Sequence, residues 1–127
     1  THAFLYSSGQ MRDLGTLGGS SSSGYAINDT RQVVGGAGIS TPSVSHAFLY
    51  SNDQMYDLNN LIDPALGLML SDARGINNHG QIVAEGYTSG NSFHAFLLTP
   101  VPEPSTWTLF GVALLGLAGW ARGRKAL

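Results

Sequence analysis

Three histidines, His2, His46 and His94, each open the same short string HAFL, so whatever one imidazole does the others are placed to do as well. Imidazoles converging from successive repeats would make a zinc site, since zinc takes His nitrogens tetrahedrally. Repetition supplies a simpler account, in which a residue fixed once per unit serves packing or a recurring hydrogen bond. We expect that account to hold and expect no metal. Asp13 and Asp57 recur in the same way within DL pairs. Paired carboxylates can divide the roles of acid and nucleophile, but no distinct base accompanies either, so both are expected at turns or strand ends. Asn28, Asp29, Asn77 and Asn78 are oxygen ligands of the kind calcium takes, yet the D-x-D-x-D-G loop with its closing glutamate is absent. Gly15, Gly18 and Gly19 lack the lysine and helix that a phosphate cradle needs. No cysteine is present, which excludes thiolate zinc, a thiol nucleophile and disulfides. No catalytic residue and no cofactor is expected.

Glu103 sits in a different setting, between Pro102 and Pro104. Proline fixes φ and bars helix, so this carboxylate is held on a stiff, extended segment, the form in which a protease-like cleft takes its substrate. The residues that follow, 106–121, carry no charge, are bounded by Trp107 and Trp120, and end at Arg122, Arg124 and Lys125. As a helix the apolar run would rise about 24 Å, a little short of a hydrocarbon core of roughly 30 Å. Interfacial tryptophans and trailing cations suit a single transmembrane helix whose basic end stays cytoplasmic, leaving the preceding residues outside. The cations would act as a stop-transfer brake.

The elements that position these groups follow from a duplication. HAFLYSSGQMRDL at 2–14 returns as HAFLYSNDQMYDL at 46–58, and HAFLL appears again at 94–98. INDTRQVV at 27–34 likewise returns as INNHGQIV at 76–83. Copies near 2–45 and 46–93, with a partial one at 94–98, make a unit of about 44–49 residues. Alternation puts Ala47 and Leu49 on one face of a strand and His46, Phe48 and Tyr50 on the other. Both faces are apolar, so cover on both sides is expected. Ser51-Asn52-Asp53 reads as a turn with a return strand over 54–58, and the Asn-rich strings punctuate a second hairpin returning through Val33-Val34 and Ile82-Val83. Ser20 to Ser23 reads as a flexible inter-strand loop.

The fold class expected is all-β, with propeller-like or β-meander repeats over 1–99 and a tail over 100–127. Propellers typically use four or more blades, whereas about two and a half units are present. The chain therefore reads as a piece of a longer repeat protein or as a domain that completes itself by self-association through unpaired strand edges.

Charge follows the same division. All eight acidic residues precede position 106, opposed there only by Arg12, Arg31 and Arg74, while the remaining three cations lie in the tail. A formal net charge of −2, with no basic face, argues against nucleic acid as a partner.

The strings HAFLY, MRDLGTLGG and AINDTRQVVG resemble the HAF repeat of secreted and cell-surface bacterial proteins, over roughly residues 2–98. That family has no established common activity. Arg31 departs from the glycine of its INDxGQVVG turn, which Gly80 keeps in the second copy. The tail, with Val101-Pro102-Glu103-Pro104-Ser105, an apolar helix and a basic end in that order, resembles the PEP-CTERM sorting signal of Gram-negative bacteria. The resemblance implies recognition by an exosortase, a membrane cysteine transpeptidase, passage through the inner membrane with the N-terminal part outside, and a destination in the cell envelope, at the surface or in the extracellular matrix.

The expected function is that of a non-enzymatic exported surface or matrix protein. The alternative is a module that binds carbohydrate, an exopolysaccharide, by stacking on Tyr25, Tyr56, Tyr87 and Phe93. A secreted hydrolase or lyase ranks below both for want of a nucleophile–base pair.

Overall fold

Short runs that alternate in burial and are separated by residues tolerant of positive φ can only be satisfied as antiparallel strands joined by tight turns. The computed structural model describes residues 1–101, and of the tail the backbone of residues 110–115. Strands β1 (Ala3–Ser7) and β2 (Gln10–Gly15) form a two-stranded first sheet. β3 (Gly18–Ile27), β4 (Val33–Ile39), β5 (Ser45–Ser51) and β6 (Gln54–Asp57) form a four-stranded middle sheet in sequential order. β7 (Met69–Ile76), β8 (Ile82–Tyr87), β9 (Phe93–Pro100) and β10 (Phe110–Leu115) form the last sheet in the same way. The fold is all-β, and these three sheets close no barrel.

The duplication in the sequence is a duplication of hairpins. The β1–β2 turn places Ser8 and Gly9 at φ 53° and 78°, and the β5–β6 turn places Asn52 and Asp53 at 53° and 67°. Two consecutive left-handed residues define the turn whose twist matches its flanking strands. In the other hairpin Arg31 takes φ 64° where Gly80 takes 78°, with matching 3.1 Å bonds from their amides to the carbonyls of Asn28 and Asn77. The first turn is thus as tight as the second despite its arginine, because the asparagine side chain organises both.

Packing uses both faces of the middle sheet. On one side Val33, Phe48 and Tyr50 meet Ala3 and Leu14 of the first sheet. On the other, Val34, Ala47 and Leu49 meet Ile82, Phe96 and Leu98 of the last. The same rule therefore operates twice: the Phe-bearing face of one sheet packs on the Ala/Leu face of the sheet before it. Two 3-10 turns between β6 and β7, Leu58–Asn60 and Pro64–Leu66, are capped by the side chains of Asp57 and Asp63. They send Leu58 and Ile62 into the second interface.

One expectation changes. Ser20 to Ser23 are not a loop but part of β3, and Ser22 is buried. Its hydroxyl accepts from the Ala3 amide and donates to the Gly15 carbonyl, tying β3 to the first sheet where a larger side chain would hold the layers apart. Of the apolar stretch expected as a transmembrane helix over 106–121, the described part, Phe110–Leu115, runs as β10 along β9, in register from Phe110↔Pro100 to Leu115↔Ala95. Pairing there satisfies backbone groups that β9 would otherwise leave open. The rest of that stretch lies outside the described residues.

Identical residues in unlike settings give a direct test of this packing. Phe48 is fully buried, whereas its repeat counterpart Phe4 is 59% exposed. Phe48→Ala is expected to cost about 3–5 kcal/mol by urea denaturation, and Phe4→Ala less than about 0.5 kcal/mol.

Candidate functional site

The repeated imidazoles come to rest beside the repeated aspartates. His2 Nδ1 lies 2.9 Å from Asp13 Oδ1 and His46 Nδ1 lies 2.6 Å from Asp57 Oδ2. Antiparallel register explains the pairing, since Phe4↔Asp13 and Phe48↔Asp57 put each carboxylate next to the strand that its histidine opens. In the half-buried second pair, Asp57 Oδ1 also accepts from the Asn59 amide and side chain. In the exposed first pair, Asp13 Oδ1 accepts from the Gly15 amide. That bond, and then His2, hold the Asp13 carboxyl below the usual aspartate range. Each aspartate therefore joins a histidine to the backbone amide two residues further along its own chain. The third histidine has no such aspartate, because Phe96↔Leu114 puts a leucine at the corresponding register position of β10.

The asparagine turns interlock. Asn28 Oδ1 accepts from the amides of Thr30 and Gln32, and Asn77 Oδ1 from those of His79 and Gln81. Across the two repeats, Asn28 Nδ2 donates to the Asn77 carbonyl at 3.0 Å and the Asp29 amide to Asn78 Oδ1 at 2.8 Å. Asn78 Nδ2 donates back to Asp29 Oδ2. Oxygen atoms that calcium would need are thus engaged in joining one hairpin tip to the next. Among the described residues no three His, Asp or Glu side chains gather in a form suited to a metal ion.

A groove lined by Ser20, Ser21, Tyr25, Ser43, Ser45 and Asp72 runs between the β4–β5 connection and β3. Sequence reasoning passed over Asp72, because nothing in a strand reading MLSDARGI shows that its carboxylate will press on a neighbouring sheet. A β-carbon on Gly36 would stand 2.2 Å from Asp72 Oδ1, so any larger residue there would have to displace the Asp72 carboxylate. Burial raises the Asp72 carboxyl above its ordinary range, with Arg74 opposing and Glu85 adding to the shift. Arg74 reaches Glu85 at 3.1 Å and lies 4.5 Å above the Tyr25 ring. Of the other aromatics considered for stacking, Tyr87 and Phe93 come together at 5.0 Å and stay exposed, while Tyr56 is half-buried.

The tail residues singled out by sequence, Pro102, Glu103, Pro104, Arg122, Arg124 and Lys125, lie outside the described residues. What is described is their starting point: β9 ends at Pro100, immediately before them. Comparison with known families decides the character of this segment. Residues 100–125 match the PEP-CTERM protein-sorting motif. PEP-CTERM signals are recognised by exosortase, and the match agrees with membrane transit and export toward the cell envelope. No curated protein and no solved structure matches the chain. No helix among the described residues is long and apolar enough to cross a membrane.

The half-buried Asp72 carboxylate gives this site a pH signature. With its folded-state pKa raised, Asp72 keeps its proton in the native protein at pH values where the unfolded chain has lost it. Stability therefore falls as pH rises from about 3.9, the ordinary aspartate value, through the raised one. Asp13, whose pKa is lowered, acts with the opposite sign at lower pH. In Asp72→Asn the fall above about pH 4 should be absent, read as urea midpoints followed from there to neutrality.

Proposed function

We propose that this chain is a non-enzymatic exported protein of the cell surface or extracellular matrix, whose β repeats are displayed outside the membrane by a PEP-CTERM tail. The observation that carries the reading is the sorting-motif match over residues 100–125, beginning where the last strand of the repeats ends. Pro102, Glu103 and Pro104 form the sequence recognised by an exosortase-type membrane transpeptidase, and Arg122, Arg124 and Lys125 hold the segment at the cytoplasmic face. The chain divides into 1–99, repeats of the HAF type, and 100–127, the tail. The HAF reading rests on the likeness of the strings HAFLY, MRDLGTLGG and AINDTRQVVG to that repeat. A propeller is the closed form that face-to-back stacking of such units would generate.

The tail meets two different solvents. In water the segment over 110–115 can satisfy its backbone by pairing with β9. In a bilayer a lone segment can do so only as a helix, because no partner strand is available in the hydrocarbon. Insertion of 106–121 as a transmembrane helix accordingly releases the segment from β9. The inner membrane is the site of transit, and the envelope, surface or matrix is the destination.

A second reading, an exopolysaccharide-binding module, is favoured by the serine-lined groove beside Tyr25 and by the exposed Tyr87–Phe93 pair. Hydroxyl-rich walls and flat apolar rings are the surfaces that sugars use. Loss of binding to purified exopolysaccharide in Tyr25→Ala and Tyr87→Ala would support it.

The sorting role is tested in cells that carry an exosortase. Glu103→Ala should abolish processing and leave the unprocessed chain in the inner-membrane fraction, followed by immunoblot of fractionated cells. Normal processing and surface display of the variant would refute recognition through this carboxylate.

A further inference from the structure

Among the described residues two sheet faces are left uncovered, and the repeat itself shows what each of them packs against. Register puts Phe4, Tyr6 and Met11 together on the outer face of the first sheet, where they are 59%, 65% and 65% exposed. Their counterparts in the middle sheet, Phe48 and Tyr50, are 0% and 5% exposed, and Met55 packs beside them. At the opposite end of the stack, Val83 is 38% exposed, and Ala95 and Leu97 are partly so. The equivalent Val34, Ala47 and Leu49 are buried in the interface between the middle and last sheets. One end therefore presents a Phe-type face and the other an Ala/Leu-type face. Each is the complement of the other by the rule that already operates twice within the chain.

The outer face of the last sheet also specifies the width of its occupant. Where β7 crosses the middle sheet, a small residue makes room: Gly36, paired with Ala47, faces Asp72 of β7, and Gly38, paired with Ser45, continues the same face without a side chain. The last sheet has Glu85 paired with Ala95 and Tyr87 paired with Phe93 at those same register positions. These side chains stand where an incoming β7-like strand would have to lie. What remains open is the patch of Val83, Ala95 and Leu97, which admits strands of the HAFLY hairpin alone. The first sheet consists of that hairpin, in two strands.

We infer that the first sheet of one molecule docks on the outer face of the last sheet of a second copy of this chain, with Phe4, Tyr6 and Met11 against Val83, Ala95 and Leu97. The contact is head to tail, so each copy retains one face of each kind and assembly continues until a ring closes or a filament grows. Burying three large apolar side chains from the first sheet supplies the driving force, and the Glu85, Tyr87 and Phe93 wall sets the register. This assembly is independent of how the tail is sorted.

The chain has no cysteine, which makes a directed cross-linking test clean. Full-length Tyr6→Cys and Val83→Cys variants are mixed and treated with a short bismaleimide, with Ser8→Cys, at an exposed hairpin tip, as the control partner. A cross-linked dimer from the Tyr6→Cys and Val83→Cys mixture, absent when either is treated alone or when Ser8→Cys replaces Tyr6→Cys, is the expected result. Equal linking of all combinations would mean that the apolar tails gather the copies, and linking of Tyr6→Cys to itself would mean a symmetric contact. Either result, or no cross-link at all, overturns the proposal. Sedimentation supplies a second readout: Tyr6→Arg, at an exposed position, should keep the β-sheet circular dichroism of the parent chain and raise its apparent dissociation constant about tenfold or more. Unchanged association in that variant also overturns it.

Discussion

The stacking of a Phe-bearing sheet face on an Ala/Leu-bearing one is the contact on which the rest of this structure depends. Antiparallel sheets commonly have one face in water, but the middle sheet here is apolar on both, with Ala47 and Leu49 looking one way and Phe48 and Tyr50 the other. Such a sheet is stable only between two neighbours. The first and last sheets supply them, and each in turn has a second face that the described residues leave at least partly exposed. A repeat built in this way has no natural end except closure or an altered terminal face.

Polar groups at the ends of the strands keep the stack in register. Each His–Asp pair ties the start of one strand to the end of its hairpin partner, and the interlocked Asn28, Asp29, Asn77 and Asn78 tie one repeat to the next. These residues have the chemistry of catalytic dyads and metal sites, yet their oxygens and nitrogens are committed to the backbone and to one another. Buried or half-buried polar groups need such partners, and a repeat supplies the same partner each time. The exception is His94, which faces the tail's leucine position in place of an aspartate.

That exception marks where the repeat gives way to the sorting tail. The β10 segment takes the place in the last sheet that β2 and β6 hold in the others, without their QMxDL pattern. An apolar string such as FGVALL is compatible with an edge strand in water and with a helix in lipid, since neither its side chains nor its charge content commits it to one solvent. The same ambivalence suits the proposed passage of this segment from water into a membrane.

Hairpins, their turns and the existence of two apolar faces were legible in residues 2–98 because alternation and turn chemistry are local: a side chain at period two and an Asn or Gly at positive φ need no distant partner to declare themselves. The three-part tail was legible for the same reason, as order along the chain. Ser22 was misread because its hydroxyl is satisfied by Ala3 and Gly15, groups that the sequence does not place beside it. Asp72 was missed because its carboxylate lies against a glycine thirty-six residues earlier in another sheet. The sequence by itself determined which strands form and which faces are greasy. Only the tertiary structure decided which greasy face covers which, and which two remain open, because packing joins residues by shape and proximity across sheets, and neither is written in their spacing.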